Sequence, residues 1–128
     1  MNDTDYSTTL RALMMPADTN HQGTVFGGVI LSKIDQAGYL EARSNGPHRW
    51  VTVAMEGVKF HAPVFTGDLV SFLTRTIRRG RTSVGVEVRV VAERRDTLEE
   101  VLVTEAQLSM VSIGDTGQPI PFTGRGEA

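Results

Sequence analysis

The chain has 128 residues, enough for one hydrophobic core and too few for two domains. A net charge of −2 gives no bulk attraction to nucleic acid or to an anionic membrane, so we expect neither as a partner. The chain has no cysteine, which excludes disulfides, thiolate nucleophiles and thiolate metal sites. Because no signal-peptide pattern and no run of about 18 apolar residues occurs, we expect a cytoplasmic location.

The N-terminal part of the chain predicts one strand and one long helix. Residues 1–7 are polar and predict a loose end, and residues 8–15 favour a short strand before a proline. After a loop, the apolar periodicity predicts a helix that begins near Gly27 or Gly28. It is expected to end at residues 44–47, which contain the glycine and proline typical of a helix C-terminus.

From Trp50 onward, apolar residues recur at every second position, which indicates strands. A bulge is expected at Glu56-Gly57, and a loose tail is expected over residues 114–128. One helix followed by strands with short connections is an α+β layout with an antiparallel sheet, in a single domain spanning residues 1–128. The free edges of such a sheet are often paired, which predicts a homodimer. Four strands are predicted after the helix, over residues 50–60, 69–78, 83–90 and 101–113.

One carboxylate on the predicted helix is a candidate for chemistry. At about 100° per residue, Asp35 falls at the border of the apolar arc, between Leu31 and Ala42. A buried charge costs several kcal/mol unless it is paired, so a carboxylate at this position suggests a reactive group. An exposed helix aspartate, satisfied by water or by a basic neighbour, remains the alternative.

The start of the helix offers two further candidates. The N–H groups of Gly27 and Gly28 would be unpaired at the positive end of the helix dipole, where a carbonyl oxygen can be polarised. The same glycines would also suit a plain turn into the helix. Asn20 carries both a donor and an acceptor and could orient a reactant, or it could simply form an Asx-turn.

A basic turn between the second and third of these four strands is the candidate phosphate site. Arginine forks and exposed turn amides suit phosphate oxygens, although many charged hairpin turns are merely solvated. Lys59 is a weaker candidate for the same anion. The turn contains three arginines, a glycine and two hydroxyls, in the run Arg78-Arg79-Gly80-Arg81-Thr82-Ser83.

Other site classes are not supported by the sequence. The histidines His21, His48 and His61 are scattered without metal-ligand spacing, so no metal site is expected. There is no Gly-x-Ser-x-Gly nucleophile motif and no dinucleotide-binding glycine pattern.

Several motifs occur together within residues 10–120. They include Met15-Pro16-Ala17-Asp18-Thr19-Asn20, Phe26-Gly27-Gly28, Ile34-Asp35-Gln36-Ala37-Gly38, Val51-Thr52-Val53, Gly67-Asp68 and Thr104-Glu105-Ala106. In this combination the chain resembles the hotdog-fold acyl-CoA thioesterases of the YciA-like and cytosolic acyl-CoA hydrolase group. The resemblance implies a long central helix wrapped by a curved antiparallel sheet, two subunits joined edge to edge, and dimers assembled into hexamers.

The resemblance also implies a reaction, the hydrolysis of acyl-CoA thioesters to a free carboxylic acid and coenzyme A. Coenzyme A is then part of substrate and product, and no separate cofactor is expected. Asp35 would be the general base or nucleophile, the Gly28 N–H would polarise the carbonyl, and Asn20 would face Asp35 of the other subunit. The residues implied in coenzyme A binding are Gly27, Lys59, Arg79, Gly80, Arg81, Thr82 and Ser83.

Two alternatives keep the fold but change the activity. The protein could bind or sense acyl-CoA without turning it over, since a fold does not fix an activity. It could also be a hotdog hydratase, in which case His21 would have to supply the histidine of an Asp/His pair.

Overall fold

The computed structural model describes residues 5–122 of the chain. The predicted order, a strand and a helix followed by four strands, is confirmed. The first strand ends at Leu13, before the expected end at Met15. The elements are β1 (Ser7–Leu13), a short 3-10 turn (Pro16–Asp18), α1 (Gly27–Arg43), β2 (Arg49–Phe60), β3 (Leu69–Arg79), β4 (Ser83–Glu93) and β5 (Glu100–Ile113).

The five strands form one antiparallel sheet in the order β1-β3-β4-β5-β2. β2 is therefore an edge strand, although it follows the helix directly in the chain. The pairing of β2 with β5 shifts register between Glu56 and Lys59, and Gly57 has φ of +63°. The predicted bulge is confirmed, and glycine at its centre accommodates a backbone conformation that other residues rarely adopt.

The core lies between α1 and one face of the sheet. β4 supplies alternating valines that are fully buried, Val84, Val86, Val88 and Val90. Gly38 lets α1 approach β5 closely, because a Cβ at this position would lie 2.8 Å from Cδ2 of Leu108. The apolar arc predicted on the helix faces this core through Ile30, Ile34, Ala37, Gly38 and Ala42.

A buried ion pair fixes the loop between β2 and β3. Asp68 is 2% exposed, and its Oδ2 accepts hydrogen bonds from Arg94 at 2.6 Å and from the Phe65 N–H at 2.9 Å. The loop that precedes α1 is attached to this loop, since the Val25 N–H donates to the Val64 carbonyl at 2.8 Å. The start of the helix is therefore anchored on the β2–β3 connection.

Both termini, expected to be loose, make contacts within the described residues. Phe122 is 4% exposed and packs edge-on against Trp50, with ring centroids 5.1 Å apart, while the Ile120 N–H donates to Ser112. At the other end, the Tyr6 hydroxyl donates to Glu87 at 2.8 Å. Burial, together with this hydrogen bond, raises the pKa of Tyr6 above its ordinary value. Residues 1–4 and 123–128 lie outside the described part of the chain.

Candidate active site

Asp35 lies on the side of α1 next to β2 and is exposed in the single chain. The Thr52 hydroxyl donates to its Oδ1 at 2.6 Å. The position at the border of the apolar arc is as predicted, since Ile34 before it is fully buried and Gln36 after it is exposed. Because Oδ1 is held by this hydroxyl, the carboxylate has a defined orientation, and its Oδ2 has no hydrogen-bond partner within residues 5–122.

A concavity of about 610 Å³ opens beside this carboxylate. Thr52 also lies 3.1 Å from the Sδ of Met110, but its single hydroxyl hydrogen is better used on the carboxylate, the stronger acceptor. The concavity is large enough for both an acyl chain along its apolar wall and a water molecule beside the carboxylate. The lining consists of Asp35, Gln36, Tyr39, Leu40, Trp50, Val51, Thr52 and Met110.

Thr52 is the site residue that was not singled out from the sequence. It appeared only within the motif Val51-Thr52-Val53, without a role of its own, because its partner lies 17 positions away in the chain. A hydroxyl on a strand among valines is a weak indication without a three-dimensional neighbour.

The first turn of α1 presents unpaired backbone donors. The Phe26 carbonyl accepts from the N–H groups of Val29 and Ile30, whereas those of Gly27 and Gly28 have no acceptor within residues 5–122. Phe60 covers Gly27, with its Cζ 3.5 Å from where a Cβ would be, while the space around Gly28 is open to 4 Å. The Gly28 N–H is thus available to a ligand that approaches from outside the chain.

Asn20 forms the Asx-turn that was the alternative interpretation. Its Oδ1 accepts from the Gln22 N–H at 2.8 Å and from the Thr24 N–H at 3.3 Å, and its Nδ2 donates to the Thr24 hydroxyl at 3.1 Å. The side chain makes no hydrogen bond to Asp35 within the described residues. One Nδ2 hydrogen remains free, so the turn does not prevent a second role.

The basic turn lies at the opposite end of α1 from Gly28. Arg79 donates from Nε to Oδ1 of Asn45, just beyond the helix C-terminus, at 2.8 Å. The Gly80 N–H donates to the Ser83 carbonyl at 2.7 Å, and the Thr82 carbonyl accepts from the Ser112 N–H at 2.9 Å. A helix of 17 residues is about 25 Å long, so the turn and the Gly28 N–H are far apart within one chain.

Lys59 is placed away from the basic turn. It pairs with Glu105 on β5, whereas Ser83 pairs with Val111, about 20 Å further along that strand at about 3.4 Å per residue. A shallow concavity at Lys59 is also lined by Glu87 and Glu105. Two carboxylates disfavour a phosphate, so the surroundings of Lys59 do not support the role expected for it.

Between residues 5 and 122, no group of three or more His, Asp or Glu side chains could hold a metal ion. In that same range, no helix is both long and apolar enough to cross a membrane.

The fold is α+β, and one helix carries both a carboxylate held by a hydroxyl and, within residues 5–122, N–H groups that have no acceptor. A model of the thioesterase superfamily matches residues 22–99. The acyl-CoA thioester hydrolase YciA of Salmonella typhimurium is 36% identical over 120 residues, which cover 91% of this chain and 90% of the relative.

Two solved structures are also similar. Cj0915, a hexameric hotdog fold thioesterase of Campylobacter jejuni, has a TM-score of 0.88 at 40% identity, covering 94% of this chain and 92% of that chain. HI0827, a hexameric broad specificity acyl-coenzyme A thioesterase solved as an aspartate-to-alanine mutant, has a TM-score of 0.86 at 32% identity, covering 90% and 85%. The chain therefore belongs to the thioesterase superfamily, and the expected hotdog fold is confirmed.

Proposed function

We propose that this protein hydrolyses acyl-CoA thioesters at a site formed by two copies of the chain. Its relatives are named acyl-CoA thioester hydrolases, and the protein is an enzyme of that class. One copy supplies Asp35 with its Thr52 partner, and the other supplies the Gly28 N–H and Asn20. The observation that carries the proposal is the orientation of Asp35 by Thr52 beside an apolar concavity.

The distance between the reactive groups supports a second copy. Gly28 and Asp35 lie on nearly the same face of α1, two turns and about 10 Å apart. In direct attack, the thioester carbon lies about 3 Å from the carboxylate and its oxygen about 3 Å from the donor, which together span less than this separation. Two antiparallel helices, one from each copy, bring Asp35 of one near the helix start of the other.

Edge strand β2 is the seam at which two copies join in this proposal. It has 12 residues, against 7 in β1 at the other edge, and carries the exposed apolar residues Val53 and Phe60 at 60% and 53%. Antiparallel pairing of two β2 strands about a two-fold axis satisfies the free edge and covers these side chains. The two similar structures are named as hexameric, and we extend the dimer of this chain to a trimer of dimers.

Two routes of hydrolysis fit a carboxylate in this position. As a general base, Asp35 takes a proton from water, the water oxygen adds to the acyl carbon, and the C–S bond breaks as the thiolate receives a proton. As a nucleophile, an Asp35 oxygen adds to the acyl carbon, the C–S bond breaks as the thiolate leaves and receives a proton, and water then opens the resulting anhydride to the free acid and the Asp35 carboxylate. In single turnover in ¹⁸O-water, an anhydride opened at its aspartyl carbonyl leaves the label on Asp35, whereas activated water labels only the product.

The basic turn is the proposed contact for the phosphates of coenzyme A. Arg79 is exposed, and its Nε hydrogen bond leaves the outer guanidinium edge available for phosphate oxygens. Gly80, Arg81, Thr82 and Ser83 complete the turn. In a dimer with antiparallel helices, the turn of one copy lies toward the helix start of the other.

The two alternatives are less well supported. A binding or sensing module is not favoured, because the named relatives are hydrolases. A hydratase would need His21 beside the carboxylate, but His21 is exposed in the loop before α1 and has no hydrogen-bond partner among residues 5–122.

The experiment that tests the activity is hydrolysis of acyl-CoA thioesters of short to long chain, followed by the released thiol. Wild-type protein should turn over, and Asp35→Asn should lower kcat by about 10²-fold or more. Asparagine can still accept from Thr52, so the variant keeps the local structure. Binding of coenzyme A without hydrolysis by the wild type would contradict the proposal.

A further inference from the structure

A chain of hydrogen bonds runs from the last turn of α1 to the basic turn. It starts at Glu41, whose Oε1 accepts from the Thr74 hydroxyl and whose Oε2 accepts from the Thr76 hydroxyl, both at 2.8 Å. Thr74 is fully buried and Thr76 is half-buried, and both hydroxyls bridge the sheet to the helix. A carboxylate accepts but does not donate, which settles the direction of both hydrogen bonds.

The directions of these hydrogen bonds determine how the side-chain amide of Asn45 is oriented. Because Thr76 gives its only hydrogen to Glu41, its oxygen acts as the acceptor for Nδ2 of Asn45 at 3.0 Å. The same Nδ2 lies 3.3 Å from the main-chain carbonyl of Glu41, which can only accept. The amide therefore has a single orientation, with Oδ1 facing outward.

At the outer end of this series of hydrogen bonds, Oδ1 of Asn45 accepts the Nε hydrogen of Arg79 at 2.8 Å. With Nε held, the guanidinium is anchored at the helix end, and its terminal nitrogens have no hydrogen-bond partner within residues 5–122. We propose that Asn45 is a positioning residue that presents the outer edge of Arg79 to a phosphate of the acyl-CoA substrate. This inference rests on the proposed function and identifies a residue that strengthens the binding of acyl-CoA.

The neighbouring arginine provides a contrast within the same turn. Arg81 is exposed, and its side chain makes no hydrogen bond or ion pair within the described residues. An arginine that is already ordered loses less side-chain entropy when it binds than one that is free in solvent. Arg79 should therefore contribute more to phosphate binding than Arg81, although both carry the same charge.

The test compares two substrates with one acyl group, an acyl-CoA and the acyl-pantetheine, which lacks the phosphates together with the adenosine. For Arg79→Ala, KM for acyl-CoA should rise by about tenfold, while kcat and the constants for acyl-pantetheine stay unchanged. Asn45→Ala should raise the same KM by about fivefold. The double variant should resemble Arg79→Ala alone, since Asn45 acts through that arginine. Arg81→Ala is the matched charge control and should have the smaller effect.

A second pair of variants tests the hydrogen bonds between Glu41 and Asn45. Thr76→Val removes the hydroxyl and should raise KM for acyl-CoA only, whereas Thr76→Ser keeps it and should behave as wild type. Equal changes for both substrates, or additive effects of Asn45→Ala and Arg79→Ala, would overturn the positioning role. An unchanged KM in Arg79→Ala would overturn it too, while hydrolysis of both substrates by the wild type would leave the proposed function standing. A wild type that hydrolyses neither substrate would instead refute the proposed function.

Discussion

The Thr52 hydroxyl donates to Oδ1 of Asp35 at 2.6 Å and so links the edge strand β2 to the middle of α1. If β2 is also the seam between two copies, the orientation of the carboxylate depends on the strand that joins them.

The first prediction concerns this hydrogen bond. Thr52→Val should lower kcat by about tenfold, because the carboxylate can then rotate away from the thioester. KM should change little, since Thr52 does not hold the acyl chain by its hydroxyl. Thr52→Ser retains the donor and is the control. Equal kcat values for the valine and serine variants would show that the hydrogen bond has no part in catalysis.

The second prediction concerns the Gly28 N–H. Proline is tolerated in the first turn of a helix, and Gly27 before it has no Cβ to clash, so Gly28→Pro removes one donor with little change in fold. Loss of an oxyanion donor should lower kcat by about 10²-fold relative to Gly28→Ala, which keeps the N–H. A Cβ at this position meets nothing within 4 Å in the chain. Similar kcat values for the two variants would exclude this N–H from the reaction.

The third prediction concerns stability. Arg94→Met leaves Asp68 buried without its cation and should lower the free energy of unfolding by about 3 kcal/mol. Asp96→Ala breaks the exposed pair with Arg95 and should cost no more than about 0.5 kcal/mol. Urea denaturation measures both. A loss for Arg94→Met no larger than that for Asp96→Ala would show that the buried pair does not stabilise the loop.

The fourth prediction concerns the C-terminal segment that folds back on the sheet. Phe122→Ala should lower the free energy of unfolding by about 3 kcal/mol, because the ring packs against Trp50. Phe122→Leu keeps most of the apolar volume and should lose less. Unchanged stability of the alanine variant would mean that residues 114–122 are as loose as the sequence suggests.

Features that depend on near neighbours in the chain could be predicted from the sequence. The helix from Gly27, the alternating strands and the bulge at Gly57 follow from local periodicity and from glycine. The packing of Phe122 on Trp50 could not be predicted, because the pattern after Gly114 has no period and the contact joins distant parts of the chain.

The same limit applies to the site. Asp35 and the basic turn could be selected because their residue types are unusual at those positions. Thr52 and Asn45 were not selected, since each acquires its role only through a partner on another element. Asn20 shows that two interpretations can hold together, as its Asx-turn leaves one amide hydrogen free.

The most direct test of a site shared by two copies is complementation between inactive variants. Asp35→Ala and Asn20→Ala should each be inactive, with folding checked by circular dichroism. Coexpressed, they form mixed dimers in which one of the two sites is wild type. Random pairing predicts recovery of about a quarter of wild-type kcat per chain. No recovery from coexpressed, verified mixed dimers would contradict the shared site and place both residues in one chain's own site.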